Sequence, residues 1–201
     1  YKSALIKRKV YHHIGIQKLI NDGRMIDKIP SDILSLMIED ETIHPYLTRK
    51  DFDALQRFGV FKASVRYENG EIIEGENRFS ALLADDANLA AVSENCLGDT
   101  LKNGVILTGG FFVGPQDFYD GLKDMPEEER RQFEMTGVDV ANQLYGNEVL
   151  RSLQRKNGRF CNTGMKATLL GAICSDGLED GTVVSGVGGQ YNFVSMAHAL
   201  K

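Results

Sequence analysis

The chain has 201 residues, enough for one sizeable domain or two small ones, and its 42% apolar and 25% charged content excludes a disordered polymer. With 23 basic against 28 acidic residues the net charge is −5, which argues against wholesale nucleic-acid binding. No apolar run approaches the ~20 residues of a membrane span, and no signal-peptide pattern opens the sequence.

Three cysteines, Cys96, Cys161 and Cys174, are odd in number and lack CxxC spacing, as free thiols in a reducing cytoplasm would. The adjacent His12 and His13 and the isolated His44 and His198 have no ligand spacing, so no metal site is expected. Tyr1 without an initiator methionine, and a helical pattern running to Lys201, read as the ends of a piece of a longer polypeptide.

In chain order, Ile14, Leu19 and Ile20 predict a helix ending near Asn21-Asp22-Gly23. Ser31 is a candidate cap for a second helix carrying Ile33, Leu34, Met37 and Ile38. Thr48 and Asp51 form a capping-box pattern ahead of Phe52, Leu55 and Phe58, and Gly59 is placed to stop that helix. Phe61, Ala63, Val65 and Tyr67 alternate with polar residues and predict a strand. The Asn69-Gly70 turn and a return strand at Glu71–Glu74 complete a hairpin.

Val105-Ile106-Leu107 predicts a strand leading into a glycine-rich stretch, after which Pro115 and Pro126 each suit a first helical position. Glu127, Glu128 and Glu129 complement a helix dipole, and a further helix is predicted over Glu148–Lys156, stopping at Asn157-Gly158. Short strands are predicted at Arg159–Cys161, Thr168–Ile173 and Thr182–Val184, with a last helix through Phe193, Val194, Met196, Ala197 and Leu200. Strands interleaved with helices imply an α/β fold. The basic spots at Lys7-Arg8-Lys9, Arg130-Arg131, and Arg151 with Arg155, Lys156 and Arg159 read as solvated helix faces and ends.

The strand–glycine loop–helix at 182–200 carries the most chemical information. Gly186, Gly188 and Gly189 let a ligand approach the main chain, and loop amides at a helix N-terminus can meet an anion or oxyanion. The loop fails the dinucleotide fingerprint, because Tyr191 stands where a third glycine is required. Neither a P-loop lysine motif nor a Gly-x-Ser-x-Gly elbow is present.

The segment Ser185-Gly186-Val187-Gly188-Gly189-Gln190-Tyr191-Asn192-Phe193 resembles a signature of the acetyl-CoA hydrolases and class I CoA-transferases, Ser-Gly-x-Gly-Gly-Gln-x-Asp-Phe, with Asn192 at the aspartate position. Gly114–Asp120 is similar to that family's Gly-x-x-x-Leu-Tyr-Asp, and Asn142 to its Val-Asn element. Asn162-Thr163 with Leu169-Leu170-Gly171 is similar to its Asn-Ser…Asp-Leu-Thr-Gly stretch, Thr168 replacing the aspartate. The likeness runs from Gly109 to the end. Leu55–Gly59 and Ser175–Gly181 resemble phrases of a longer bacterial branch, which implies an insertion at roughly 24–100 and a family core at roughly 101–201.

The resemblance implies the fold of the CoA-transferase C-terminal domain: a mixed or parallel sheet flanked by helices, with a helical and β-hairpin insertion. It also implies a glutamate that attacks an acyl-CoA thioester and becomes a glutamyl-CoA thioester, with CoA as substrate rather than resident cofactor. Gly188 and Gly189 would line the oxyanion and CoA loop with Gly186, Gln190 and Ser185 would shape it, and Asn162 would line the site. The family glutamate is expected upstream of Tyr1, so this piece alone is expected to be inactive. An N-terminal domain of the same polypeptide is an implied partner, as is a homodimer. Two alternatives stand beside this reading: a non-catalytic CoA-binding or regulatory module, and an unrelated α/β domain whose glycine loop merely turns the chain.

Overall fold

The computed structural model describes residues 9–142, 145–156, 158–186 and 188–199. Lys7 and Arg8 of the first basic spot, the expected stop residue Asn157, the loop residue Val187 and the last apolar helix position Leu200 lie outside the described residues. The chain is mixed α/β and divides into two units. The first joins Tyr1–Leu107 to Gln116–Glu134, and the second joins Thr108–Pro115 to Met135–Lys201. The chain passes from one to the other after Leu107, Pro115 and Glu134, the first and last of these within the short strands β4 (Leu107–Gly109) and β5 (Phe133–Met135).

In the first unit three helices are closed by their own terminal chemistry. Helix α1 (Ile14–Asn21) ends at Gly23, φ +73°, where the Gly23 and Arg24 amides donate back to the Ile20 and Leu19 carbonyls. Helix α3 (Arg49–Arg57) begins at Thr48, whose hydroxyl accepts from the Asp51 amide, and ends at Gly59, φ +81°. A Cβ at Gly59 would stand 2.7 Å from the Thr100 carbonyl oxygen, so close packing as well as φ requires glycine there. Helix α2 (Ile33–Glu39) departs from expectation. Its N-cap is Asp32, not Ser31, with no side-chain capping bond; the Ile33 amide is met instead by the Pro30 carbonyl at 3.2 Å. Asp40, at the end of α2, receives Lys18 and Arg24 at 3.2 and 3.0 Å.

The predicted hairpin forms with both turn residues at positive φ, Asn69 at 51° and Gly70 at 82°, the geometry that matches strand twist. Its first strand is shorter than expected: β1 covers Arg66–Glu68 rather than 61–67. The Val65 amide turns back to the Lys62 carbonyl, and the Gln56 amide group donates to the carbonyls of both Lys62 and Val65. β2 (Glu71–Glu74) is central, pairing antiparallel with β1 and with β3 (Asn77–Ser80). Helix α4 (Asp86–Cys96), started by Asp85 accepting from the Asn88 amide, packs on this sheet; few apolar residues mark it in the sequence. Helices α5 (Gln116–Lys123) and α6 (Glu127–Arg130) follow Pro115 and Pro126, which stand just outside the helices rather than at their first residues.

The hydrophobic core is drawn from residues 11–101. Phe52 stacks on Phe61 with centroids 4.9 Å apart, and Phe58 meets Tyr11 edge-on at 6.0 Å.

In the second unit the elements are short: α7 (Val138–Asn142), α8 (Glu148–Gln154), β6 (Lys166–Ala167), β7 (Ile173–Cys174) and α9 (Gln190–Ala199). The strand expected over 168–173 is instead a hairpin tip. Gly171, φ +88°, reverses the chain, and the Thr168 hydroxyl accepts from the Ala172 amide. Arg159–Cys161 forms no strand, and Thr182–Val184 makes a single bridge, Gly177–Val183, across a turn with Gly181 at φ +83°, rather than a strand. Buried apolar side chains are sparse, with Leu150 and Met196 the clear cases. Leu169 and Leu170 are fully exposed.

Two predictions follow from these contrasts. Phe52→Ala should lower the unfolding free energy by about 3–5 kcal/mol, while Leu169→Ala in the same chain should change it by no more than about 0.5 kcal/mol, both read by urea denaturation. The second concerns His13, whose ring Nδ1 accepts from the Ile16 amide at 3.4 Å and whose face meets Phe58. Burial holds its pKa below the ordinary 6.5, with Asp51 pulling the other way. The folded chain thus binds that proton more weakly than the unfolded one. Its contribution is complete above about pH 6.5 and is lost as pH falls through 6.5 towards the depressed value. His13→Asn keeps a capping acceptor without titrating, so its stability should fall less steeply between pH 7 and pH 5 than the wild type's.

Candidate functional site

The glycine loop and the helix it feeds lie in the second unit. The Gly189 carbonyl accepts from the Phe193 amide at 3.0 Å, making Gly189 the entry to α9 and leaving the first-turn amides without helical acceptors. Gln190 organises the loop from both ends of its side chain. Its Oε1 accepts from the Gly188 amide at 2.6 Å, and its Nε2 donates to the Ser175 hydroxyl at 2.8 Å. Ser185 is anchored through its amide to the Asp176 carbonyl at 3.3 Å, and its hydroxyl donates to the Gly186 carbonyl.

The three described glycines differ in what they allow. Gly186 borders open space, while a Cβ on Gly188 would stand 3.3 Å from Gln190 Oε1. A Cβ on Gly189 would stand 3.3 Å from the Phe193 ring and 3.5 Å from Asn142 Nδ2. The Gly188 amide is therefore engaged within the loop. The Gly189 amide has no acceptor among the described residues.

A cavity of about 400 Å³, within the range of small-molecule sites, is lined by Asn142 and Phe193, the side chains nearest Gly189, but by none of the loop residues themselves. Helix α9 supplies Phe193 and Met196, and α7 supplies Val138, Ala141 and Asn142. Thr108–Phe111 and Phe160 add further wall, and Arg155, the C-cap of α8, adds the one charged side chain among the described lining residues. Arg155 donates to the Ala141 carbonyl at 2.9 Å and contacts Met196 Sδ. Burial, and then the neighbouring Arg151 charge, push its pKa below the usual value. This differs from the expected solvated helix face.

Of the sequence-predicted residues, the structure brings together Ser185, Gly186, Gly188, Gly189 and Gln190, and sets Asn142 beside them. Asn162 is exposed and stands outside the lining of this cavity. Arg155, Phe160 and Phe193 as cavity residues were not singled out. The one available signal was Arg151 and Arg155, four apart on a helix, with no acid spaced to pair with Arg155.

A larger hollow of about 560 Å³ in the first unit is walled by Lys28–Ser31, Ser93 and Leu97–Asp99, but its edges are tied by backbone pairing such as Ile29 to Asp99. It gathers no converging chemistry. Among the described residues no group of three His, Cys, Asp or Glu could hold a metal, and no helix is long and apolar enough to cross a membrane. All three cysteines are free; burial raises the Cys96 thiol pKa to about 11.

Gln190 is the loop's main side-chain tether, so Gln190→Ala should speed hydrogen exchange at the Gly188 amide several-fold, as expected for losing a bond contributing about 1 kcal/mol. Exchange in the first-unit core should not change, a contrast that amide-resolved NMR would read.

Residues 114–201 match the family model described as the acetyl-CoA hydrolase/transferase C-terminal domain. No curated protein and no solved structure matches the chain significantly. The match begins at Gly114, five residues after the start of the resemblance read from the sequence, and takes in α7, α8, α9 and the whole glycine loop. Over residues 114–201, somewhat less than half of its length, the chain is thus similar to the acetyl-CoA hydrolase/transferase C-terminal domain family.

Proposed function

We propose that this chain is part of an enzyme that moves CoA between a short-chain acyl-CoA and a carboxylate, or releases it to water, through a glutamyl-CoA thioester. The observation that supports this reading is the placement of Gly189 at the entry of α9, flanked by Asn142 and Phe193, which also line the neighbouring cavity. An acyl group fits such a cavity. The Gly189 amide and the first-turn amides of α9 are suited to a thioester oxygen as it becomes an oxyanion.

In the proposed reaction a glutamate carboxylate attacks the thioester carbonyl, and the CoA thiolate leaves from the tetrahedral intermediate to give an acyl-glutamyl anhydride. The thiolate then attacks the glutamyl carbonyl, releasing the acyl carboxylate and forming glutamyl-CoA. An incoming carboxylate repeats the sequence in reverse, or water hydrolyses the thioester. Among the described residues no carboxylate lines the cavity. That favours a glutamate supplied by a preceding domain of the same polypeptide, and a chain that is inactive alone.

The test compares the 201-residue chain with the polypeptide extended on its N-terminal side. Each is incubated with acetyl-CoA, with and without propionate or succinate, following free CoA and new acyl-CoA. The extended protein should form products and the chain alone should not. Acid-dependent acyl-CoA from the chain alone would refute the assignment of the nucleophile. No product from the extended protein across several acyl-CoAs would favour a CoA-binding module instead.

A further inference from the structure

We propose that a separate cavity, in the first unit, binds the phosphate group of a small molecule between Arg57 and Lys102. It has a volume of about 360 Å³ and lies at the C-terminal end of α3, where Asp53, Gln56, Gly59 and Phe61 complete most of its wall. It falls outside residues 114–201, and its role requires none of the chemistry proposed for the glycine loop.

The ordinary task of a cation at this place is to meet the last carbonyls of the helix. At α3 those carbonyls already have donors. Ala54, Leu55 and Gln56 accept from the amides of Phe58, Val60 and Gly59. Phe58 accepts from the Lys102 amide at 2.9 Å, and Arg57 from Asn103 Nδ2 at 2.6 Å. The acid in the wall, Asp53, stands one turn before Arg57 but pairs with Arg49 instead, both carboxylate oxygens accepting from Arg49 Nε at 2.8 and 2.9 Å. Arg57 lies over the Phe58 ring, 5.5 Å from its centroid, and neither Arg57 nor Lys102 forms an ion pair among the described residues. Both charges are left for a ligand.

The backbone also holds the two cations in place. The bonds to Phe58 and Arg57 fix residues 102–103 beside the end of α3. The stem of Lys102 runs over the bare face of Gly59, where a Cβ would stand 3.1 Å from Lys102 Cγ. Two fixed charges match a phosphate dianion better than a carboxylate, the guanidinium fork taking two oxygens and the ammonium a third. Gln56 commits its Nε2 to the Lys62 and Val65 carbonyls, which leaves its Oε1 to accept from a hydroxyl on the ligand's body. The volume is that of a small-molecule site, with room for such a body beside the phosphate.

The experiment titrates the 201-residue chain with inorganic phosphate, glycerol 3-phosphate and acetate at constant ionic strength, following backbone amide shifts. Both phosphates should shift residues 56–63 and 102–103 and bind about tenfold or more tightly than acetate. Arg57→Gln and Lys102→Gln should each weaken phosphate binding about tenfold, while Lys50→Gln, on the same helix outside the cavity, should leave it unchanged. Tighter binding of glycerol 3-phosphate than of phosphate would assign the site to an ester, and equal binding to the phosphate group alone. Acetate binding as tightly as phosphate, shifts centred outside the cavity, or cavity variants that behave like Lys50→Gln would overturn the proposal. The comparison of phosphate with acetate on the wild type decides even if a variant fails to fold.

Discussion

Apolar burial is concentrated between residues 11 and 101, and the order of the first unit depends on it. Phe52 on Phe61, Tyr11 against Phe58, and Ile72 from the central strand of the three-stranded sheet belong to one core. The glycine and proline positions around it act as boundary conditions. Gly59 closes α3 while lying against the Thr100 carbonyl, and Pro30 supplies the carbonyl that starts α2. Little further polar scaffolding is needed, because the helices end where their last amides find partners.

The second unit is held differently. With few buried apolar side chains, it relies on directed polar contacts: Gln190 spanning Gly188 and Ser175, Thr168 closing its turn, and the two arginines of α8 meeting the carbonyls of α7. Such contacts contribute about 0.5–1.5 kcal/mol each and fix local geometry better than they fix a core. That character suits a binding region. The glycine loop is positioned by hydrogen bonds, and the neighbouring cavity holds one half-buried cation, Arg155.

How much of this was legible in the sequence depended on how local the determining interaction was. Thr48, Gly59 and Asn69-Gly70 act within a few residues of themselves, and each does what its sequence pattern implies. The strand expected from Phe61 was lost because the Gln56 side chain captures two of its carbonyls, a contact no alternation pattern encodes. The Thr168–Ile173 strand was lost because Gly171 turns the chain inside an apolar run. Helix α4 went unread because Leu89, Val92 and Cys96 make too thin a stripe. At the candidate site, the entry of α9 just after Gly189 was legible from the glycine-loop-then-helix pattern. The position of Arg155 in the cavity wall was not, because it depends on where α7 ends relative to α8, a tertiary fact.

The central claim is that the glycine loop and its neighbouring cavity are where an acyl-CoA meets this chain. Hydrogen–deuterium exchange of the 201-residue chain with and without acetyl-CoA tests it most directly. The account predicts added protection over residues 188–196 and at the α7 residues lining the cavity, with none at the 28–31 and 93–99 hollow of the first unit. Protection centred on that hollow, or no change anywhere at saturating acetyl-CoA, would contradict it.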